Sequence, residues 1–81
     1  MALLNKSNIT RLDKDRNRVH ECVDATYTSF SENNGDRYLQ IDTYGTAGRK
    51  VKDKVSQSIQ IDQATGRLLI ELLKTELNLN D

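Results

Sequence analysis

Two segments of the chain alternate between apolar and polar residues, as strands with one solvated face do. They cover residues 37 to about 44 and residues 55–61. A third segment, residues 19–31, is rich in β-branched and aromatic residues and predicts a longer strand. Between that strand and residue 37, Asn34-Gly35 can supply the positive φ angles of a tight hairpin. We therefore expect an antiparallel sheet.

The last part of the chain has the period of an amphipathic helix. Asp62 is a good N-cap, and the predicted helix covers residues 63–77. Its apolar side chains span roughly 200° of the circumference, wider than the ~100° stripe of an ordinary surface helix. One sheet face cannot cover so wide an arc, which favours oligomerisation through the helix; the alternative is an N-terminal arm folded over part of the stripe. The expected interface residues are Leu68, Leu69, Leu72, Leu73 and Leu77.

Gly66 lies inside the apolar arc of this helix. A glycine there costs about 1 kcal/mol of helix propensity relative to alanine. A close approach of the helix backbone to the sheet, or to a partner helix, would explain the residue.

The predicted order of elements defines an α+β fold, with an antiparallel sheet of three to four strands followed by one C-terminal amphipathic helix. The length of 81 residues predicts one domain: an arm or strand over residues 1–18, the sheet over residues 19–61 and the helix over residues 62–78. Hydrophobic residues make up 36% of the chain, so the core is small. One cysteine and one histidine provide neither a disulfide nor a metal site. We expect no cofactor, and a homo-oligomer, a dimer or larger, that enlarges the core.

Charge limits the classes of partner. Twelve basic and twelve acidic residues give a formal net charge of zero, which disfavours nonspecific binding to duplex nucleic acid as the main task. The bases concentrate in residues 1–18 and 49–54, and acids dominate from residue 62 onward. The chain has neither the apolar run of a membrane span nor the pattern of a signal peptide. We therefore expect a cytoplasmic protein without a membrane partner.

One group of residues has the composition of a nucleophile triad. His20, Cys22 and Asp24 alternate along one face of the predicted strand. Neighbours at i and i+2 in a strand lie roughly 6.5–7 Å apart, too far for the hydrogen bond that activates a thiol. We therefore expect ordinary strand residues here, no catalytic residues and no enzyme activity.

The polar side of the predicted sheet is the main candidate for a ligand site, and a merely solvated outer surface is the alternative. Exposed tyrosines stack on bases, and basic side chains follow phosphates. The connection over residues 45–54 is rich in glycine and in basic residues, although it matches no P-loop and a simple hairpin loop is the alternative there. The candidate ligand-binding residues are Arg37, Tyr38, Gln40, Asp42, Tyr44, Arg49, Lys50, Lys52, Ser56, Ser58 and Gln60.

Residues 19–78, with three strands followed by an apolar C-terminal helix, resemble the positive-cofactor-four type of single-stranded DNA-binding domain. Proteins of that type dimerise through the helix and hold nucleic acid on a curved basic sheet. The resemblance implies a homodimer that binds single-stranded DNA. The strongly basic character of that family is missing from this chain.

The segments RYLQIDTYG (residues 37–45) and KVSQSIQ (residues 54–60) resemble a group of small bacterial and phage proteins. Some members of that group are labelled methionyl-tRNA formyltransferase. The present chain is too short for the catalytic and tRNA-binding domains of such an enzyme, so the label does not transfer.

Two functions compete at this level. The first is a small homo-oligomeric protein that binds single-stranded nucleic acid or a nucleotide on the polar sheet face or between subunits. The second is a phage-encoded inhibitor of bacterial defence, which binds a host protein or sequesters a nucleotide signal. Near-neutral charge favours a small nucleotide or a protein over a long polyanion.

Overall fold

A computed structural model describes residues 1–46 and 54–80. Its strands are β1 (Ala2–Leu4), β2 (Val23–Ser31), β3 (Arg37–Thr46) and β4 (Gln57–Asp62), and helix α1 covers Gln63–Glu76. A 3₁₀ turn, Lys6–Asn8, follows β1. The predicted α+β fold is confirmed, with one mostly antiparallel sheet and a C-terminal helix.

The strands lie in the order β1-β4-β3-β2. β2, β3 and β4 pair antiparallel, as predicted. β1 pairs with β4 in parallel, with Ala2 opposite Ile59. The N-terminal segment is thus a short strand followed by a longer arm.

The register of the strands gives the sheet two different faces. The polar face carries Thr26, Thr28, Phe30, Tyr38, Gln40, Asp42, Tyr44, Ser58 and Gln60. The apolar face carries Ala25, Tyr27, Leu39, Ile41, Ile59 and Ile61. Since side chains alternate along a strand, this separation follows directly from the sequence pattern.

Four strand ends differ from the prediction. β2 begins at Val23 rather than at residue 19, and β3 continues to Thr46. β4 covers Gln57–Asp62 rather than residues 55–61. The extension of β3 contains an irregularity where Tyr44 and Gly45 together lie opposite Asp24. Gly45 has a φ of 82°, which a glycine adopts without strain, and this allows pairing to continue past residue 44.

The β2–β3 hairpin is confirmed, but its loop is longer than the Asn-Gly pair predicts. The Glu32 N–H donates to the Asp36 carbonyl at 2.9 Å, so residues 33–35 form the loop. Within it only Gly35 has a positive φ, of 93°. This is a turn followed by a glycine bulge rather than a two-residue type I′ turn.

The start of α1 is fixed as the sequence predicts. The Asp62 carboxylate accepts a hydrogen bond from the Thr65 N–H at 2.8 Å, and the Thr65 hydroxyl donates to the Leu4 carbonyl at 3.2 Å. Thr65 is fully buried, so this residue joins the first turn of the helix to β1.

The side chain of Thr65 and then its backbone N–H, both beside the Asp62 carboxylate, lower the pKa of that carboxyl below its ordinary value. A lowered folded-state pKa stabilises the fold at pH values above the ordinary pKa of aspartate. That contribution is lost as the pH falls through the lowered pKa.

Helix α1 packs against β4 and the 3₁₀ turn. The N-terminal arm also reaches it: Ile9 and Leu12 line a pocket of about 420 Å³ together with Leu68 and Leu72. Arg11 Nη1 lies 3.4 Å from Glu76 Oε1. The arm thus lies beside part of the apolar stripe, as expected if an N-terminal arm rather than a second copy covers that part.

The arm does not cover the rest of the stripe. Leu73 is 50% exposed and Leu77 is 61% exposed. On the apolar face of the sheet, Tyr27 is 78% exposed. Among the described residues no hydrophobic side chain is buried; the two buried side chains are Ser58 and Thr65. No helix in the described ranges is long and apolar enough to span a membrane.

Gly66 is not explained by contact with its own sheet. A Cβ built at this position lies 3.9 Å from Ile61 Cγ2, an ordinary van der Waals distance. We therefore expect Gly66→Ala to raise the free energy of unfolding by about 0.5–1 kcal/mol, since alanine has the higher helix propensity. Urea denaturation at several protein concentrations measures the effect. A loss of stability that grows with protein concentration would contradict this expectation and place a partner backbone at Gly66.

Candidate ligand-binding face

Four polar side chains on β3 and β4 form a continuous hydrogen-bonded network, which we call the polar ladder: Gln40, Asp42, Ser58 and Gln60. The Gln60 amide donates to Gln40 Oε1 at 2.9 Å, and the Gln40 amide donates to Asp42 Oδ1 at 3.0 Å. The Ser58 hydroxyl donates to the same Asp42 oxygen. The cross-strand register places Gln40 opposite Gln60 and Asp42 opposite Ser58.

The polar ladder is less exposed than most of the apolar face. Ser58 is only 7% exposed, and the other three ladder residues are half-buried. Hydrogen bonds to a carboxylate are stronger than those between neutral groups, so Asp42 holds Gln40 and Ser58 in fixed positions. The ladder is therefore a pre-organised polar surface.

An aromatic pair stands next to the ladder at one end of the polar face. The rings of Phe30 and Tyr38 stack with centroids 5.5 Å apart and an interplanar angle of 23°. Desolvation, and then the negative charges of Glu32, Asp36 and Asp62, raise the pKa of the Tyr38 hydroxyl above its ordinary value. Tyr38 is thus a neutral hydrogen-bond donor at physiological pH.

The other end of the polar face holds Tyr44. Its hydroxyl lies 2.8 Å from Thr26 Oγ1, at hydrogen-bonding distance across β2 and β3. Tyr44 is half-buried, so its ring is held against the sheet. The polar face therefore has an aromatic side chain at each end and the ladder between them.

A shallow pocket opens on the β1 side of the ladder. It has a volume of about 230 Å³ and is lined by Met1, Ala2, Leu3, Ser58 and Gln60. Leu3 lies on the polar face because it pairs with Gln60. Apolar contact is thus available beside the hydrogen-bonding groups of Gln60.

Arg37 does not join the other candidate residues. Its guanidinium donates to Ser31 Oγ at 3.1 Å and to Ser29 Oγ at 3.5 Å. Both serines point to the same side as the apolar face, since Ser29 is opposite Leu39. In the described part of the sheet, the strand positions of the polar face therefore carry neither lysine nor arginine.

Four further candidates are not among the described strand residues. Arg49, Lys50 and Lys52 belong to residues 47–53 and so lie outside the described residues. Ser56 is an exposed bend residue just before β4, and its N–H donates to the Thr43 carbonyl at 2.7 Å. The structure thus brings together Tyr38, Gln40, Asp42, Tyr44, Ser58 and Gln60 of the predicted set.

The composition-based triad has a different arrangement from the one expected. His20 and Cys22 precede β2, outside the strand, and Cys22 is an exposed free thiol. The described residues contain no cluster of three histidine, cysteine or acidic side chains that could hold a metal.

Sequence reasoning left out the contribution of β2 to the polar face. Thr26, Thr28 and Phe30 lie opposite Asp42, Gln40 and Tyr38 respectively. Their alternation was visible in the sequence, but the pairing depends on the loop length of the hairpin. Phe30 is the addition that matters most, because it completes the aromatic pair.

No protein-family model, curated protein or solved structure matches this chain. The resemblance to the positive-cofactor-four type of domain and the resemblance to small bacterial and phage proteins therefore stay predictions.

The polar ladder gives a prediction on stability. Asp42→Ala removes the acceptor of Ser58 and Gln40, and a nearly buried hydroxyl without a partner costs about 1–3 kcal/mol. Asp42→Asn keeps one acceptor oxygen and should lose less. Thr28→Ala, an exposed change on the same face that breaks no hydrogen bond of the polar ladder, should cost less than Asp42→Ala. Urea denaturation of the three variants measures the differences; equal stability of Asp42→Ala and wild type would contradict the role of the ladder.

Proposed function

We propose that this protein is a non-enzymatic, homo-oligomeric binding protein that holds a phosphate-bearing ligand, a nucleotide or single-stranded nucleic acid, on its polar face. The supporting observation is that the polar ladder and its flanking aromatic residues lie on the side of the sheet opposite α1. A surface that served only to contact water would be expected to carry charged side chains rather than tyrosine, glutamine and serine. A surface with aromatic rings and fixed amides is instead suited to a flat polar ligand.

The chemistry of the polar face fits a nucleobase. Among the described residues, the Tyr38 hydroxyl and the Gln60 amide oxygen have no hydrogen-bond partner. One can donate and the other can accept, which matches the mixed donors and acceptors on a base edge. Tyr44 supplies an aromatic ring for stacking, and a stacked base contributes about 1–3 kcal/mol.

The phosphate would need positive charge that the strand positions of the polar face lack. The nearest positive charges along the chain are those of Arg49, Lys50 and Lys52, which follow the end of β3 at Thr46. Tyr44 lies near that end of β3. We propose that a base stacks on Tyr44 and that its phosphate is neutralised by these basic residues.

The test of ligand binding uses calorimetry with nucleotides and short oligonucleotides at low and high salt. We expect Tyr44→Ala to weaken binding by about 1–3 kcal/mol, whereas Tyr44→Phe keeps the stacked ring and most of the affinity. The double variant Arg49→Ala, Lys50→Ala should weaken binding mainly at low salt, because salt screens the lost charges. The double variant Arg16→Ala, Arg18→Ala is the control for the loss of two positive charges. Absence of binding to every nucleotide and oligonucleotide would rule out the proposed ligand.

Oligomerisation is supported by the exposed apolar surface of the single chain. Leu73 of α1 and Leu77, which caps its C-terminal end, remain half or more exposed, and no described hydrophobic side chain is buried. Domains of this size rarely fold on so little buried surface. We propose that Leu68, Leu69, Leu72, Leu73 and Leu77 pack against a second copy.

The oligomer is tested by sedimentation. We expect Leu72→Glu with Leu73→Glu to give unfolded protein or protein that no longer associates through α1, because two carboxylates would enter an apolar interface. Lys74→Glu, on the charged side of the helix, should leave the assembly intact. Wild-type protein that sediments at the 9.2 kDa mass of one chain at high micromolar concentration would disprove the proposal.

A second candidate function is inhibition of a host protein, as in a phage-encoded inhibitor of bacterial defence. The absence of lysine and arginine from the described strand positions of the polar face favours it, because such a surface offers no positive charge to a phosphate. An inhibitor of this kind would bind its partner with little salt dependence and show no affinity for nucleotides. If the inhibitor sequesters a nucleotide signal instead of binding a host protein, the inhibitor and the nucleotide-binding protein are the same proposal.

A further inference from the structure

β2 forms one edge of the sheet, and no described strand pairs with its outer side. The strand has nine residues, all exposed. Exposed sheet edges are usually protected by lysine, by proline or by being very short. Here the sequence VDATYTSFS contains neither lysine nor proline and a single charge, Asp24. Such an edge is a surface for pairing with another strand.

The hydrogen-bond pattern shows which backbone groups this edge offers. Glu32 and Asp36 form a hydrogen-bonded pair across the hairpin. Because hydrogen-bonded and non-hydrogen-bonded pairs alternate in an antiparallel ladder, Thr28 and Thr26 also bond to β3. At the alternate positions of β2, the N–H and C=O groups point away from β3. These residues are Ala25, Tyr27, Ser29 and Ser31.

We propose that β2 pairs with β2 of a second copy of this chain, antiparallel and centred on Tyr27. In that register all nine residues pair, with Ala25 opposite Ser29 and Thr26 opposite Thr28. The only charge, Asp24, lies opposite Phe30, so no like charges meet. Threonine pairs and aromatic pairs are favourable across strands. The pairing also gives Tyr27, 78% exposed in one chain, a ring of the second copy as neighbour.

An antiparallel edge pair has its twofold axis perpendicular to the sheet. The two polar faces therefore lie on the same side and form one eight-stranded surface, with the two copies of the polar ladder related by the axis. This interface uses the sheet edge and not the α1 leucines. It does not depend on the proposed ligand.

Disulfide formation tests the register. In the hydrogen-bonded pair centred on position 27, the two Cα atoms lie about 5.5 Å apart, within the span of a disulfide. Two copies of position 29 lie roughly 13 Å apart, since each is four residues from the other along the strand. Both positions are exposed, so the variants Y27C and S29C, made in a C22S background, are matched.

We expect mild oxidation to convert most of the Y27C chains to a covalent dimer and to leave S29C at the background level. Equal cross-linking of both variants, or none of Y27C, would overturn the proposed pairing. Amide hydrogen exchange on the wild type gives a second measurement. Protection of the Tyr27 and Ser29 amides should rise with protein concentration, while the Thr26 and Thr28 amides stay protected throughout.

A concentration-independent, unprotected Tyr27 amide would also overturn the pairing. If wild-type protein still sediments as an oligomer in that case, the α1 interface survives without the edge interface. Conversely, if Y27C still cross-links in protein that also carries L72E and L73E, the edge pair forms without the helix interface. The two interfaces are thus tested separately.

Discussion

The width of the sheet compared with the width of the helix limits what this fold can bury. Adjacent strands lie about 4.8 Å apart, so four strands span roughly 14 Å between the outer axes, while a helix with its side chains is about 10 Å wide. Helix α1 packs against β4, toward the β1 side of the sheet. The β2 side of the apolar face therefore stays uncovered, which is where Tyr27 lies exposed. The exposure of Tyr27, at the centre of the proposed edge pairing, follows from this shortage of cover.

The same constraint explains why the best-buried strand side chain of the sheet is polar. Ser58 is 7% exposed although α1 lies on the other side of the sheet, and its hydroxyl is satisfied by Asp42. The Gln60–Gln40 and Ser58–Asp42 hydrogen bonds form only when β3 and β4 are aligned as they are here, whereas Gln40 and Asp42 belong to the same strand. A shift by one residue would place apolar side chains in these positions. The polar ladder thus contributes to the choice of register as well as to the candidate site.

The sequence was sufficient for those parts of the fold that depend on local chemistry. The Asp62 cap, the beginning of α1 and the face of each β3 and β4 residue follow from side-chain type and alternation. Alternation also places Arg37 with Leu39, on the side away from the ladder, although the candidate set grouped it with Tyr38.

The pairing of β2 could not be predicted so well. A two-residue loop at Asn34-Gly35 would place Phe30 opposite Leu39, whereas the observed three-residue loop places it opposite Tyr38. One residue of loop length therefore decides which side chains share the polar face. β1 has three residues, too few to show a period.

The parallel pairing of β1 with β4 has a consequence for the order of folding. Ala2 pairs with Ile59, so nearly the whole sheet lies between the two partners along the chain. Closing so long a loop loses more chain entropy than closing the short β2–β3 hairpin. During synthesis, β1 leaves the ribosome first but has no strand to join until β4 has followed it. We therefore expect β1 to dock last and the hairpin to form early. Until β1 docks, the edge of β4 and the Thr65 hydroxyl stay open to water, and a nascent chain is most vulnerable to proteases in this interval.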